Sequence, residues 1–142
     1  MVEIVPNVYQ ITVGQGEFPG VYAPNVFLVT GDRRAAFIDT ANGKSDEIRA
    51  QLALWETQRR PDIAAIILTH RHQDHIGGAG GLATATRGQI LCGDDEREAI
   101  EQALSPRIVG TVVDGETLDL GGTTLEFIHT PGHTMGSLCV FY

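Results

Sequence analysis

The sequence predicts an α/β or α+β fold on a mixed sheet, and three stretches carry that expectation. Ile63 to Thr69 (IAAIILT) is a continuous apolar run, the mark of a strand covered on both faces. Asn25 to Thr30 (NVFLVT) and Arg34 to Asp39 (RAAFID) flank Gly31-Asp32 and read as a hairpin. Ile48, Leu52 and Trp55 recur at i, i+4 and i+7, which places them on one face of a helix.

Taken in order, Val8 to Val13 alternates as a strand. The long loop Gly14 to Pro24, with Phe18, Val21 and Tyr22 near its tip, then leads into the hairpin. Ser45 is the expected N-cap of the first helix, which ends near Arg59 and is stopped by Pro61. The apolar strand follows and delivers His70 at its end. A short glycine-rich helix is expected from Gly78 to about Thr86, then a strand at Gln89 to Cys92. Asp94 to Leu104 reads as a helix with a solvated acidic start and Ala99, Ile100, Ala103 and Leu104 on its inner stripe. Four strands complete the chain: Arg107 to Val113, Thr117 to Leu120, Thr123 to His129 and Ser137 to Tyr142, the middle pair turned at Gly121-Gly122.

The 142 residues suit a single domain, 1–142, with 42% hydrophobic and 20% charged residues. No apolar run approaches the roughly 18 residues of a membrane span, and Met1 to Tyr9 has no secretory-signal pattern. Ten basic against eighteen acidic residues give a net charge of -8, which argues against a nucleic-acid partner and leaves a small-molecule substrate as the expectation. Cys92 and Cys139 match no metal or redox spacing; both read as buried, reduced core thiols of a cytoplasmic protein.

The chemistry is concentrated in Thr69 to Gly78 (THRHQDHIGG), which holds three of the five histidines. Its His70, His72, Asp74 and His75 all bear metal-ligating groups, and such side chains converge only where the backbone curls around one point. A metal ion is what that curling serves. The bland alternative, a polar surface loop, rarely shows such ligand density. Catalytic zinc keeps three protein ligands and a water. His70 and His72 supply two, and His133 in Thr130 to Ser137 (TPGHTMGS) is the candidate for the third. Pro131 and Gly132 turn the chain there, and Gly136 permits a close backbone approach. His129 reads as a strand residue outside the site, and Gly77 to Gly81 (GGAGG), lacking a P-loop's lysine, as close helix packing.

THRHQDHIGG resembles the HxHxDH signature of the metallo-β-lactamase superfamily, and TPGHTMGS resembles its second metal motif. Phe37 to Gly43 (FIDTANG) is similar to its strand-end aspartate motif. The resemblance implies an αββα sandwich of which this chain supplies roughly half, a mixed sheet with helices on one face. It implies one zinc on His70, His72 and His133, with Asp74 and His75 helping to hold a second, and iron or manganese as alternative metals. Asp74 would be the catalytic group that accepts a proton from the attacking water, and Asp39 would fix a ligand imidazole by accepting its ring N–H. The reaction implied is zinc-dependent hydrolysis of an ester, thioester, amide or phosphoester by metal-activated water. Two rivals are a metal-binding half-domain with little activity and an iron-dependent oxidoreductase on the same fold.

The family pattern places two further ligands, an aspartate and a histidine, downstream of residue 142. The expected remedy is a complementing chain or a homo-oligomer, a homodimer by preference, that buries the sheet's open apolar face.

Overall fold

The structure, a computed structural model, describes residues 2–13, 24–105 and 108–142. Of the loop Gly14 to Pro24 only Pro24 is described, so Phe18, Val21 and Tyr22 lie outside the described residues. Seven strands form one sheet in chain order: β1 (Val2–Val5), β2 (Val8–Thr12), β3 (Asn25–Thr30), β4 (Arg34–Ile38), β5 (Asp62–Leu68), β6 (Gln89–Gly93) and β7 (Gly110–Val112). Pairing is antiparallel from β1 to β4 and parallel from β4 to β7. The parallel half requires crossovers, and helices provide them. These are α1 (Ser45–Thr57), the single turn α2 (Gln73–Ile76) with α3 (Ala79–Thr86), and α4 (Arg97–Leu104). None of the described helices is long and apolar enough to cross a membrane.

β5 explains why the sheet has two dry faces. Its Ile63, Ile66 and Leu68 join the helix-side core with Phe37, Leu54, Leu82 and Ile100. Its Ala65 and Ile67 join a second core with Ala36, Val29, Leu125, Phe127 and Leu138. Strict alternation would put Ile63 and Ile66 on opposite faces. A register shift against β4, where Ala35 pairs with Ile63 but Ala36 with Ala65, brings them together.

The second core belongs to a separate three-stranded antiparallel sheet, ordered β10-β9-β8, from β8 (Thr117–Asp119), β9 (Thr124–His129) and β10 (Leu138–Phe141). Helices cover one face of the large sheet, as expected, but its other face is not left bare. The last strands pair with one another and lay Leu125, Phe127 and Leu138 on it. What stays open is a groove of about 370 Å³ lined by Ile4, Val8, Phe27, Val29, Ile38 and Val140, among others, at one end of this interface.

Several expectations are corrected. Lys44, not Ser45, is the N-cap of α1, and its backbone N–H donates to Glu47 Oε2 at 3.0 Å. The helix stops at Thr57, and Arg59 and Arg60 both take positive φ before Pro61. Ile48, Leu52 and Trp55 are only partly buried, while Glu47, Gln51 and Leu54, one position earlier at the same spacing, face the core. Polar Glu47 and Gln51 can do so because both bond to the backbone of the β4–α1 turn, Gln51 Nε2 donating to Thr40 O at 3.1 Å. The acidic stretch opens as a 3-10 turn (Asp94–Glu96) before α4, and Ala103 is exposed. Gly77 does serve close packing, since a Cβ there would lie 2.1 Å from Asn42 O.

Cys92 is buried, but Cys139 is exposed rather than in the core, because β10 turns it away from the inter-sheet face that takes Leu138. Both are free. Burial, reinforced by the charge of Glu96, pushes the Cys92 thiol up to about 12. Thiolate is the reactive form, so Ellman titration of the native protein is expected to count one thiol, Cys139, with the second appearing only on denaturation. Two thiols reacting at equal rates would contradict this.

Candidate metal centre

Parallel strands end where ligands are bound in open α/β sheets, and three consecutive strands end together here. β4 delivers Asp39, β5 delivers Thr69 and the loop from His70 to His75, and β6 delivers Glu96. The β9–β10 connection brings His133 from the second sheet.

Asp39 fastens the first loop. Its backbone turns at a positive φ of 59°, and its Oδ1 accepts from Thr69 N at 2.8 Å. Oδ2 accepts from Thr69 Oγ1 at 2.8 Å and meets His75 Nδ1 at 2.7 Å. A carboxylate can only accept, so the imidazole carries its proton on Nδ1 and turns Nε2 towards the site. By the same logic Thr69 Oγ1 donates its O–H to Asp39 and must accept from His70 Nδ1, 3.0 Å away. That leaves a lone pair on His70 Nε2. Thr40 completes the fastening, its N and Oγ1 both donating to His75 O at 2.7 and 2.8 Å.

Three ring nitrogens then converge. His70 Nε2 lies 3.1 Å from His72 Nδ1, and His133 Nε2 lies 2.9 Å from the same atom. All three lie within 4.8 Å of one another, and among the described residues no other group of at least three metal-ligating side chains meets that spacing. A single ring nitrogen, with one N–H or one lone pair, cannot make a full hydrogen bond to each of two others. A cation resolves the conflict: bonds of about 2.0–2.1 Å in tetrahedral array hold nitrogens roughly 3.3 Å apart. The donor set therefore fits a divalent metal such as zinc.

Asp74 and His75 stand beside this triad rather than in it. Asp74 Oδ2 is 3.7 Å from His75 Nε2, and the His75 ring lies 4.1 Å from that of His70, centroid to centroid. Burial, helped by His75 nearby and opposed by Asp39, lowers His70 to about 4, which leaves the imidazole neutral and able to ligate at neutral pH. Burial also acts to lower His75, but the Asp39 hydrogen bond and the charges of Asp39 and Asp74 outweigh it, and the net shift is upward. His129 stays outside the site, its Nε2 2.7 Å from Met135 O.

Glu96 was not expected here. Within the acidic run, Asp94 and Asp95 are solvated, but Glu96 is completely buried. Its Oε2 accepts from Arg71 N and its Oε1 from Gly136 N, each at 2.9 Å. No signal in the sequence sets it apart from its acidic neighbours.

The profile of the Metallo-beta-lactamase superfamily matches residues 19–142. The chain belongs to this superfamily. A metallo-β-lactamase from Pontibacter korlensis shares the fold at a TM-score of 0.82 and 22% identity, over 99% of this chain and 65% of that one. Among curated superfamily members, a hydroxyacylglutathione hydrolase of Acidiphilium cryptum is 36% identical over 116 residues, 82% of this chain and 43% of the relative. An atrochrysone carboxyl ACP thioesterase of Aspergillus chevalieri is 27% identical over 96% of this chain and 42% of the relative. The chain thus spans less than half the length of these curated relatives.

Proposed function

We propose that the protein acts as a zinc-dependent hydrolase, with a thioester as the favoured substrate among the ester, thioester, amide and phosphoester classes. The convergence of His70, His72 and His133 carries the reading, and the names of the two curated relatives favour the thioester. A divalent cation held there would supply Lewis acidity and lower the pKa of a water from about 15.7 to about 7. The chain's own groups do the rest. We assign to Asp74, half exposed beside His75, the role of accepting the proton of the attacking water, and to Asp39 that of holding the His75 imidazole in one orientation. Asp74 and His75 together offer an oxygen and a nitrogen to a second metal. The two free thiols favour a reducing, cytoplasmic setting.

The test is release of free thiol from an acyl thioester by the zinc-loaded chain, with elemental analysis of the bound metal. Hydrolysis that a chelator abolishes and zinc restores supports the proposal; hydrolysis indifferent to chelator refutes it. A silent but zinc-binding chain would favour the half-domain reading. Bound iron would favour the oxidoreductase.

The open groove and the exposed Val2, Ile4, Val5, Phe141 and Tyr142 support self-association or a complementing chain. Light scattering is expected to show a species larger than 15.3 kDa. A monomer at micromolar concentration would end that part of the proposal.

A further inference from the structure

The two loops that carry the imidazoles come from different sheets, and something must fix their separation. Leu138 N donates to Thr69 O at 2.9 Å, which joins them at the level of the strands. Nearer the ligands, the connection runs through Glu96. Arg71, whose N–H meets Oε2, stands between His70 and His72 in the chain; Gly136, whose N–H meets Oε1, stands three residues after His133. We propose that Glu96 is a positioning residue, its buried carboxylate setting the distance between the two ligand loops and thereby the geometry and affinity of the metal centre. This rests on the metal-site reading above.

The surroundings are built for this contact. Glu96 has no exposed surface and Gly136 is buried, so water cannot replace the bond between them, while the bond from Arg71 N is part-buried. Backbone packing is close on both sides. A Cβ at Gly136 would lie 2.6 Å from Glu96 Cγ and 2.9 Å from Glu96 N, and one at Gly93 would lie 2.3 Å from Gly136 O. The Arg71 guanidinium adds a looser contact, Nε to Oε2 at 3.8 Å. A carboxylate is the side-chain group that can accept from two N–H donors on opposite sides at once. Glutamine has the same shape but one acceptor, and its amide would set a donor against one of the two N–H groups.

The test compares wild type, Glu96→Gln and Gly136→Ala by zinc competition against a chromophoric chelator and by the visible spectrum of the cobalt-substituted proteins. Glu96→Gln is expected to fold, to bind zinc about 10- to 100-fold more weakly, and to shift the cobalt bands. Gly136→Ala, which crowds the same carboxylate from the other loop, is expected to act in the same direction, with the double variant less than additive. A residue that only supports the fold would lower the melting temperature of the metal-free protein and leave both metal readouts unchanged. Zinc affinity within about twofold of wild type and unaltered cobalt bands in Glu96→Gln, or in Gly136→Ala if the first does not fold, overturn the proposal. So does failure of both variants to fold, which assigns Glu96 to folding alone. Wild type that takes up no metal overturns the site reading itself, an outcome distinct from these.

Discussion

Replacing His133 with alanine is expected to lower zinc affinity by more than about 100-fold, beyond the 10- to 100-fold that loss of an outer hydrogen-bond partner typically costs. The reason is geometric. His72 Nδ1 faces two imidazole nitrogens, and removing His133 takes away the one 2.9 Å distant. The remaining pair comes from a single loop and cannot enclose an ion. His133 is exposed, so the metal-free variant should melt within a degree or two of wild type, as surface changes usually do. Chelator competition on the two proteins decides the matter, and equal affinities would refute the three-histidine centre.

Removal of the Asp39 carboxylate should act on the fold as well as the site. Asp39→Ala orphans Thr69 N, Thr69 Oγ1 and His75 Nδ1 together. Each unsatisfied buried donor costs about 1–3 kcal/mol, and with these groups only partly buried we expect about 2–4 kcal/mol in total. That corresponds to a fall of roughly 5–15 °C in melting temperature for a chain of this size. The positive φ of Asp39 adds strain for alanine that asparagine tolerates better, so Asp39→Asn separates the backbone share from the carboxylate share. The effect carries a pH signature. Folding raises the pKa of His75 above 6.5, so the stability contributed by its pairing with Asp39 is fully present below the unfolded value and is lost as pH rises through the folded one. The gap between wild type and Asp39→Ala should therefore narrow as the pH rises from below the ordinary histidine value through the raised folded one. A gap that widened over that range would contradict the assigned pairing.

Much of this centre was legible because its residue types are uncommon and its spacing local. His70, His72 and His75 crowd six positions, and a run as apolar as Ile63 to Leu68 can only be a covered strand. Glu96 shows the opposite case. Nothing local distinguishes it from Asp94, Asp95 or Glu98, since the N–H groups that draw it inward belong to residues 25 and 40 positions away. The same holds for Gln51, whose partner Thr40 is set by the β4–α1 turn. The turn at Gly121-Gly122 made the pairing of β8 with β9 legible, but pairing is a property of two segments, so the return of β10 onto β9 across the His133 loop was not visible. β1 escaped notice because all four of its residues are exposed, which removes the alternation that marks a half-buried strand.

The strand order of the large sheet has a consequence for how the molecule comes into being. Each strand after β1 pairs with the one just before it in the chain, so the sheet can zip up vectorially as the polypeptide leaves the ribosome. His70, His72 and His75 are then in place before residue 133 has been polymerised. Docking of the β9–β10 segment is what brings His133 to the other imidazoles, so the three-histidine cluster is expected to follow formation of the large sheet rather than to nucleate it.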